Sequence, residues 1–445
     1  MDFSLLSKSY DFRGVFGRDF VTEDYVTLGF AFASVVPGSK FAVGYDARVS
    51  SVELGKAFRK GITLAGKTAI DLGLVSSDML QYSTVCYDDV DAGFMITASH
   101  NPKEYNGLKS CLKNAEPINL KAWEPKIAAF AAENPLPSVA TGSEEVRDVS
   151  DLWVEHVASF ARGSFEGIKV VADAGNGVAG AFLPKLAKRL GFDMVGLFLE
   201  PDGNFPNHHP SPIESKNTLD LVAKVKETGA DVGVAFDGDA DRAVACDETG
   251  TIVPAAAMMC SIVENVLLEK PGASIVYNAV CSDAVPELVR ELGGTPIKSK
   301  VGHVYIKEMM KADPKIEFGG EHSSHYYFRK NANADSGIIA FVCFLSAMVE
   351  KRRKASDVRK AYAKYPAIEE TNFKVSSVAE TTAKIEAAYP EAEKERFDGL
   401  TLRLPNFWIN LRPSSNEPLL RLNMEAHDEA TLEKELAKVK GLLES

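Results

Sequence analysis

Three separate parts of the chain repeat one order of elements, an apolar run followed by a helical pattern, and this order limits the fold more than any other feature. The apolar runs cover residues 41–48, 169–177 and 274–281. Behind each run, apolar residues recur at spacings of three and four, which is typical of one face of a helix. These positions are Leu54, Phe58 and Ile62, then Phe182, Leu183, Leu186 and Leu190, then Val285, Leu288, Val289 and Leu292. Because strand–helix alternation favours parallel sheets with helices on both faces, we predict three related α/β domains.

The last part of the chain has a different pattern. Three strand-like segments follow one another closely, at 399–404, 407–412 and 419–424. The helical pattern after them has its apolar face at Leu432, Leu436, Val439 and Leu443. Strands joined by short connections predict an antiparallel sheet. The predicted fold class is therefore α/β, with three related α/β domains whose sheets are mixed or parallel, plus a C-terminal α+β domain.

Polar or proline-rich stretches separate these units, at 133–145, 247–254 and 362–370. A chain of 445 residues is long enough for several domains of ordinary size. The predicted domains are 1–145, 146–250, 251–363 and 364–445.

Composition excludes several functional classes. The net charge of −12 and the lack of a long basic cluster argue against a nucleic-acid partner. No apolar stretch approaches the length of a membrane span, and no signal peptide is evident at the N-terminus. The six cysteines have no CxxC spacing, so we expect them to be reduced and mostly buried. These features together predict a cytoplasmic protein with no membrane partner.

A serine lies where ligands commonly bind in α/β proteins. Ser99 follows the apolar run 92–96, and His100 and Lys109 are close to it in the sequence. Ligands of such sheets bind beyond the carboxyl ends of the strands. The loop is therefore either an ordinary polar connection or the site of a nucleophile or phosphate carrier.

An acidic loop follows another strand-like run. Asp237, Asp239 and Asp241 alternate over five positions, with Gly238 between the first two and Arg242 after the third. Like charges a few ångströms apart repel by several kcal/mol at an effective dielectric constant near ~20, and a divalent cation removes that cost. Mg²⁺ prefers such oxygen ligands, arginine suits a phosphate, and we expect Gly238 to permit the tight bend.

Three other interpretations of the acidic loop remain open. An EF-hand loop would fit the alternating aspartates and Glu248 at its twelfth position, but Arg242 replaces the glycine that its turn needs. An aspartyl-phosphate phosphatase would use Asp237 as its nucleophile. The loop could also be a solvated acidic turn. A Mg²⁺ site for phosphoryl transfer is favoured over all three.

Motifs at 10–14, 97–109, 237–242, 319–328 and 412–418 occur in one order along the chain. This set resembles the α-D-phosphohexomutase superfamily, within its phosphomannomutase and phosphomannomutase/phosphoglucomutase branch, and it spans nearly the whole chain. The resemblance implies four domains around a central cleft. Each domain would supply one loop: the phosphoserine loop, the metal loop, the sugar loop and the phosphate loop, in chain order.

The resemblance also implies roles for residues. Ser99 would carry the phosphate and, with Asp237, Asp239 and Asp241, ligate Mg²⁺. His100, Lys109 and Arg242 would complete the catalytic set. We expect Lys109 to be the general base, with a pKa lowered by neighbouring cations such as Arg13 and Arg242. The implied substrate-binding residues are Tyr10, Arg13, His303, Glu321, Ser323, His325, Arg412, Ser414, Ser415 and Asn416.

The implied activity interconverts mannose 6-phosphate and mannose 1-phosphate through phosphoserine and a hexose 1,6-bisphosphate, which also acts as activator. The substrates would be small hexose phosphates, and the protein a monomer or homodimer. Phosphoglucomutase, the dual-specificity activity and, less favoured, phosphoglucosamine mutase are the alternatives. A sugar-phosphate-binding protein without catalysis and a hydrolase are further alternatives from other classes.

The sequence departs from the family pattern at three places. The phosphate loop has Ser414, Ser415 and Asn416 where phosphomannomutases usually carry Ser-Asn-Thr. His322 replaces a usual methionine, and Val280 replaces the lysine of the dual-specificity enzymes. The choice between glucose and mannose therefore stays open.

Overall fold

The computed structural model of the protein describes residues 11–413 and 419–444. This part of the chain forms four sheets in succession. Short 3₁₀ helices occur at Lys113–Ala115, Val178–Ala181, Ser215–Thr218 and Arg329–Asn331. No helix within the described ranges is long and apolar enough to cross a membrane.

The first sheet has the strand order β1-β5-β4-β2-β3-β7, with β6 paired to β5. Its strands are β1 (Phe12–Val15), β2 (Lys40–Tyr45), β3 (Thr68–Leu74), β4 (Ala92–Ile96), β5 (Tyr105–Leu112), β6 (Glu116–Pro117) and β7 (Ser143–Val146). Its helices are α1 (Thr22–Val35), α2 (Ser51–Leu64), α3 (Ser77–Cys86) and α4 (Leu120–Glu133). Strands β2 and β4 are parallel, and Tyr45 pairs with Ile96. The residues that follow these two strands therefore emerge side by side at one edge.

The second sheet has the order β11-β10-β8-β9. Its strands are β8 (Lys169–Asp173), β9 (Asp193–Leu197), β10 (Val232–Phe236) and β11 (Ala243–Asp247). Its helices are α5 (Ser150–Ala158), α6 (Leu183–Leu190) and α7 (Leu219–Thr228). Strands β8, β9 and β10 are parallel, but β10 and β11 are antiparallel. The acidic loop is therefore the turn of a hairpin.

The third sheet has the order β13-β12-β14-β15-β16. Its strands are β12 (Ser274–Asn278), β13 (Thr295–Ser299), β14 (Ile316–Gly320), β15 (Tyr326–Phe328) and β16 (Ala334–Asp335). Its helices are α8 (Ala255–Glu269), α9 (Ala284–Glu291), α10 (His303–Ala312), α11 (Gly337–Glu350) and α12 (Ala355–Tyr362). The hairpin partners β14 and β15 enclose the predicted sugar loop.

The fourth sheet is antiparallel throughout, in the order β17-β21-β20-β19-β18. Its strands are β17 (Thr371–Lys374), β18 (Glu393–Glu395), β19 (Leu400–Leu404), β20 (Phe407–Pro413) and β21 (Leu419–Ala426), and its helices are α13 (Val378–Ala387) and α14 (Glu429–Glu444). The predicted fold class is confirmed, including the change from α/β to α+β. The domain boundaries stay a prediction, and the one after residue 145 falls inside β7, which pairs with β3.

The apolar core is divided unequally among the sheets. One continuous cluster of buried side chains joins the first three sheets, through residues such as Ile70, Val234 and Phe318. The fourth sheet and its helices have a core of their own, with Leu402, Leu422 and others. The six cysteines are unpaired, as predicted, and four of them are buried.

Candidate active site

A cleft with a cavity volume of about 1190 Å³ lies between the four sheet units, and each unit contributes to its lining. This arrangement is the central cleft that the sequence resemblance implies. The predicted site residues along it are Arg13, Ser99, Lys109, Asp241, Arg242, His303, His325 and Arg412.

Ser99 lies at the edge of the first sheet, three residues beyond the fully buried strand β4. Its residue surface is only 2% exposed, and its backbone has a φ of 51°. That left-handed conformation is uncommon for a residue other than glycine. The Ser99 amide donates to the Thr97 hydroxyl at 2.8 Å. The hydroxyl of Ser99 is therefore held in one place by the backbone that carries it.

The β10–β11 turn brings the acidic loop against this serine. The Ser99 hydroxyl donates to Oδ2 of Asp237 at 2.9 Å, across 138 residues of sequence. The expected role of Gly238 is wrong, because the left-handed residue of the loop is Ala240, with a φ of 63°. Instead, a Cβ on Gly238 would lie 2.7 Å from the Ser99 carbonyl oxygen. The glycine is needed for close approach of the two loops.

The three aspartates of this loop are buried and offer oxygens within 4.8 Å of one another. One oxygen of Asp239 and one of Asp241 have no hydrogen-bond partner. Burial, and then the charges of Asp241 and Asp239, raise the pKa of Asp237 well above its ordinary value. This donor set fits a hard divalent cation, which would relieve the repulsion.

Two alternatives for the acidic loop are wrong. The EF-hand requires flanking helices, whereas strands β10 and β11 flank this loop. A solvated turn is excluded because the residue surfaces of Asp237, Asp239 and Asp241 are at most 3% exposed. The alternative with Asp237 as the nucleophile of a phosphatase stays a prediction, and its product, inorganic phosphate, distinguishes it.

Lys109 projects from β5 toward the same loop. Its ammonium donates to Oδ2 of Asp239 at 2.6 Å and also bonds Asp241. Burial would lower the pKa of Lys109, but the charges of Asp239 and Asp241 outweigh burial and raise it. The expectation that Arg13 and Arg242 lower this pKa is therefore wrong, because the acidic loop lies nearer to the ammonium.

Arg242 is held by His325, a predicted site residue, and behind it by Asp335 and Lys307, which sequence reasoning missed. Its Nε donates to Nε2 of His325 at 2.9 Å, and Nδ1 of His325 lies 3.1 Å from Asp335. Asp335 also pairs with Lys307, at 2.7 Å. Since the first contact makes Nε2 an acceptor, we assign the proton of His325 to Nδ1. With its proton on Nδ1, His325 donates to Asp335 and offers no lone pair to the grouping of Asp241, His325 and Asp335.

His100 and Arg13 complete the serine side of the cleft. Nδ1 of His100 lies 3.3 Å from the Ser99 hydroxyl oxygen. Burial, and then the charges of Arg242 and Arg13, lower the pKa of His100 well below its ordinary value. Arg13 donates to Oδ1 of Asn101 at 2.7 Å and pairs with Asp11. The predicted catalytic residues are thus brought together, with His100 as a neutral imidazole.

Most of the sugar loop, residues 319–328, does not line the cavity. Glu321 is 4% exposed, and it accepts hydrogen bonds from the Tyr327 hydroxyl at 2.7 Å and the Gly302 amide at 2.9 Å. Neither Glu321 nor Ser323 is among the residues that line the cavity, although His303 is. Burial, and then the charge of Lys307, lower the pKa of His303 to about 4.

The fourth sheet presents two arginines to the cleft. Arg412 on β20 and Arg421 on β21 are cross-strand neighbours, and both line the cavity. Glu370 accepts from Arg412 at 3.0 Å and from Arg421 at 3.3 Å. Against the effect of burial, His322 and Arg412 hold the pKa of Glu370 below its ordinary value.

Sequence reasoning missed Arg421 and Glu370. Arg421 could have been found from the sequence, because two strands joined by a short connection place it opposite Arg412. Four predicted substrate-binding residues, Tyr10, Ser414, Ser415 and Asn416, lie outside the described residues.

Family models match four successive parts of the chain. Those described as phosphoglucomutase/phosphomannomutase α/β/α domains I, II and III match residues 4–136, 151–250 and 255–365. The one described as the phosphoglucomutase/phosphomannomutase C-terminal domain matches residues 370–442. Together they leave only short connecting stretches unmatched.

Individual proteins match over nearly the full length. A Xanthomonas campestris pv. campestris protein named Phosphohexose mutases is 36% identical, over 98% of this chain and 98% of its own. The phosphomannomutase of Methanocaldococcus jannaschii is 33% identical, over 99% and 97%. A crystal structure of a phosphoglucomutase/phosphomannomutase family protein from Burkholderia thailandensis has a TM-score of 0.90 at 30% identity, and covers 100% of this chain and 97% of that one.

Proposed function

The chain belongs to the phosphoglucomutase/phosphomannomutase family, and from this premise we propose that it is a phosphomannomutase that interconverts mannose 6-phosphate and mannose 1-phosphate. Membership in the family and its phosphomannomutase relatives make it an isomerase that transfers phosphoryl groups. Beyond family membership, we propose the identity of the sugar, the roles of the site residues and the order of the two phosphoryl transfers.

One observation carries the proposal. The Ser99 hydroxyl lies 2.9 Å from Asp237 in a loop of three buried carboxylates, at the wall of a cleft lined by all four sheet units. A serine in that position can hold a phosphate between two half-reactions. Mg²⁺ held by Asp237, Asp239 and Asp241 would offset the charge that develops as the phosphoryl group leaves.

The proposed reaction has two transfers. In the first, the bond between Ser99 Oγ and phosphorus breaks as a sugar hydroxyl forms its own bond to phosphorus, which gives a hexose 1,6-bisphosphate. The bisphosphate then turns within the cleft, and Ser99 takes the other phosphoryl group. We assign His100, as a neutral imidazole, to the proton of the attacking hydroxyl, and the cations Arg242 and Lys109 to the phosphoryl oxygens.

The remaining residues bind the part of the substrate that does not react. Arg412, with Ser414, Ser415 and Asn416, would hold the second phosphate, since guanidinium pairs with phosphate oxygens. The sugar set would be His303, His325, Glu321 and Ser323, and the resemblance adds Arg13 and Tyr10 to the substrate-binding residues. Both orientations of the sugar can use the same set because the cleft is wide.

Rival functions are distinguished by their products. Phosphoglucomutase, a dual-specificity enzyme and phosphoglucosamine mutase would share the site but not the sugar. A binding protein would give no isomer. A hydrolase would release inorganic phosphate, as would the alternative in which Asp237 is the nucleophile.

The test is a coupled assay with mannose 1-phosphate, glucose 1-phosphate and glucosamine 6-phosphate, with Mg²⁺ and a trace of hexose 1,6-bisphosphate as activator. We expect the highest kcat/KM with mannose 1-phosphate and an additional ~80 Da on Ser99 in intact-mass spectra of active enzyme. Turnover of a rival sugar alone would contradict the mannose assignment. Size measurement in the same buffer tests the expectation of a monomer or homodimer.

A further inference from the structure

Arg48 is a buried arginine beside the serine loop that lies outside the five motifs described above. It follows β2 by three residues, and its residue surface is 1% exposed. Its side chain has five N–H groups, and each of them has an acceptor. The acceptors are Oδ2 of Asp46 at 3.1 Å, the carbonyl oxygens of Ser99 at 2.7 Å and Asn101 at 2.6 Å, and those of Pro102 at 2.7 Å and Tyr105 at 3.0 Å.

A second chain of contacts holds the amide side of Ser99. Oδ2 of Asp46 also accepts from the Thr97 hydroxyl at 2.7 Å. Oγ1 of Thr97 accepts in turn from the Ser99 amide, at 2.8 Å. Arg48 therefore binds the Ser99 carbonyl directly and, through Asp46 and Thr97, reaches the amide of the same residue.

The backbone of Ser99 needs such support. Its φ of 51° lies in the left-handed region, which is unfavourable for serine and persists only where the surroundings enforce it. No glycine stands at this position to relieve the strain. The direction of the Ser99 hydroxyl toward Asp237 depends on this backbone conformation.

Arg48 also touches the unit that carries the acidic loop. Its guanidinium carbon lies 5.3 Å from the centre of the Phe205 ring. A Cβ on Gly203 would lie 2.3 Å from the Val49 amide nitrogen, so the two backbones are in close contact there. The same arginine thus contacts both the serine loop and the second sheet unit, whose positions relative to each other set the Ser99–Asp237 distance.

We propose that Arg48, with Asp46 and Thr97, is the positioning group that holds Ser99 in its left-handed conformation and aims its hydroxyl at the acidic loop. Arg48 does not touch the substrate. It acts by fixing the nucleophile, so its loss should slow phosphoryl transfer without weakening substrate binding. The inference rests on the proposed function, in which Ser99 carries the phosphate.

The first test replaces Arg48 by lysine. A lysine ammonium has three donors and cannot serve five acceptors. We expect kcat of Arg48→Lys to fall about 100-fold, as displacement of a reacting group by ~1 Å does, with KM within about threefold. Arg59→Lys is the matched control, because Arg59 is also a largely buried arginine of the first sheet unit and pairs with Asp71 at 2.9 Å. It should keep wild-type kcat.

The second test separates positioning from folding. Thr97→Ser keeps the hydroxyl and should retain kcat within about threefold, whereas Thr97→Val removes it and should lower kcat more than tenfold. Hydrogen exchange of a peptide covering 97–106 should be faster in Arg48→Lys and Thr97→Val than in wild type, at equal thermal midpoints. This readout needs no substrate, and the Thr97→Val variant decides the matter if Arg48→Lys folds poorly.

Wild-type kcat in both Arg48→Lys and Thr97→Val, or unchanged exchange at 97–106, would overturn the inference. A rise in KM with unchanged kcat would also contradict it. The proposed function alone would be contradicted if the wild-type protein turned over no hexose phosphate while the variants still exchanged faster than wild type at 97–106.

Discussion

The two walls of the cleft are built differently. The serine wall, with Ser99 and the acidic loop, is buried and belongs to the first two sheet units, which one apolar cluster joins to each other and to the third unit. The clamp wall, with Arg412 and Arg421, belongs to the fourth unit, which has its own core, and the Arg421 side chain is 38% exposed. Chemistry is thus assigned to the wall that is packed as one body.

The fourth unit contacts the third through polar groups. The Val301 amide donates to Asp398 at 2.7 Å, and Lys298 pairs with Glu395 at 2.8 Å. Arg403 on β19 adds a pair with a carboxylate of the third unit. Partly exposed ion pairs exchange for water at small cost. We therefore expect the clamp wall to shift more easily than the serine wall.

The largest effect should come from the serine itself. Ser99→Ala would remove the proposed phosphate carrier, so turnover should fall on the order of 10³-fold or more, as loss of a catalytic nucleophile does. The KM should change little, because Arg412 and the sugar residues are untouched. The coupled assay measures kcat and KM. A near-normal kcat would show that Ser99 does not carry the phosphate.

Metal removal should affect the same wall. Treatment with EDTA should lower kcat about 100- to 1000-fold, which corresponds to several kcal/mol of lost charge stabilisation. Added Mg²⁺ should restore the rate. Asp239→Asn should require more Mg²⁺ for half-maximal rate than wild type does. Full activity after exhaustive dialysis against EDTA would contradict the assignment of the acidic loop.

The separate core predicts separate unfolding. Leu422 is fully buried in the fourth unit, and Leu422→Ala should cost about 2–5 kcal/mol. Hydrogen exchange should rise within residues 371–444 and remain unchanged around Ser99. Leu345→Ala, in the shared core, is the matched control and should raise exchange across the first three sheets. If both variants raised hydrogen exchange equally in all four sheets, the four units would instead unfold cooperatively as one.

The clamp wall should control binding. Arg412→Ala would remove the proposed charge-assisted contact to the second phosphate, so KM should rise about 10- to 100-fold with kcat within about threefold. Arg396→Ala is the control, because that side chain is 62% exposed and pairs with Glu386 of its own unit. A fall in kcat without a rise in KM would contradict the assignment of substrate binding to the clamp wall and of chemistry to the serine wall.

The smallest effect belongs to the polar contact between the units. Arg403 pairs with Asp283 at 2.9 Å, with both side chains about one-third exposed. Arg403→Ala should change stability by less than about 1 kcal/mol, and KM by less than about threefold. Thermal unfolding and the coupled assay measure both quantities. A loss of several kcal/mol would mean that the two units form a rigid pair.

Much of the fold could be predicted because its signals are local. The strands β2, β8 and β12 and their helices follow from apolar spacing over ten to twenty residues. The acidic loop and Ser99 could be found because strand ends and alternating carboxylates are visible in a short stretch of sequence. The expectation for Gly238 failed because its neighbour, the Ser99 carbonyl, is 139 positions earlier in the chain.

The amino-acid order alone determined the α/β and α+β parts, the chemistry of the loops and the family resemblance, since periodicity and side-chain type are properties of neighbouring residues. Only the tertiary structure decided that Lys109 pairs with the acidic loop, that His325 holds Arg242, and that Arg48 supports Ser99. These depend on contacts between elements far apart in the chain. Both the direction of a pKa shift and the aim of a hydroxyl are set by such contacts, because charge and hydrogen bonding act over a few ångströms of space and not along the sequence.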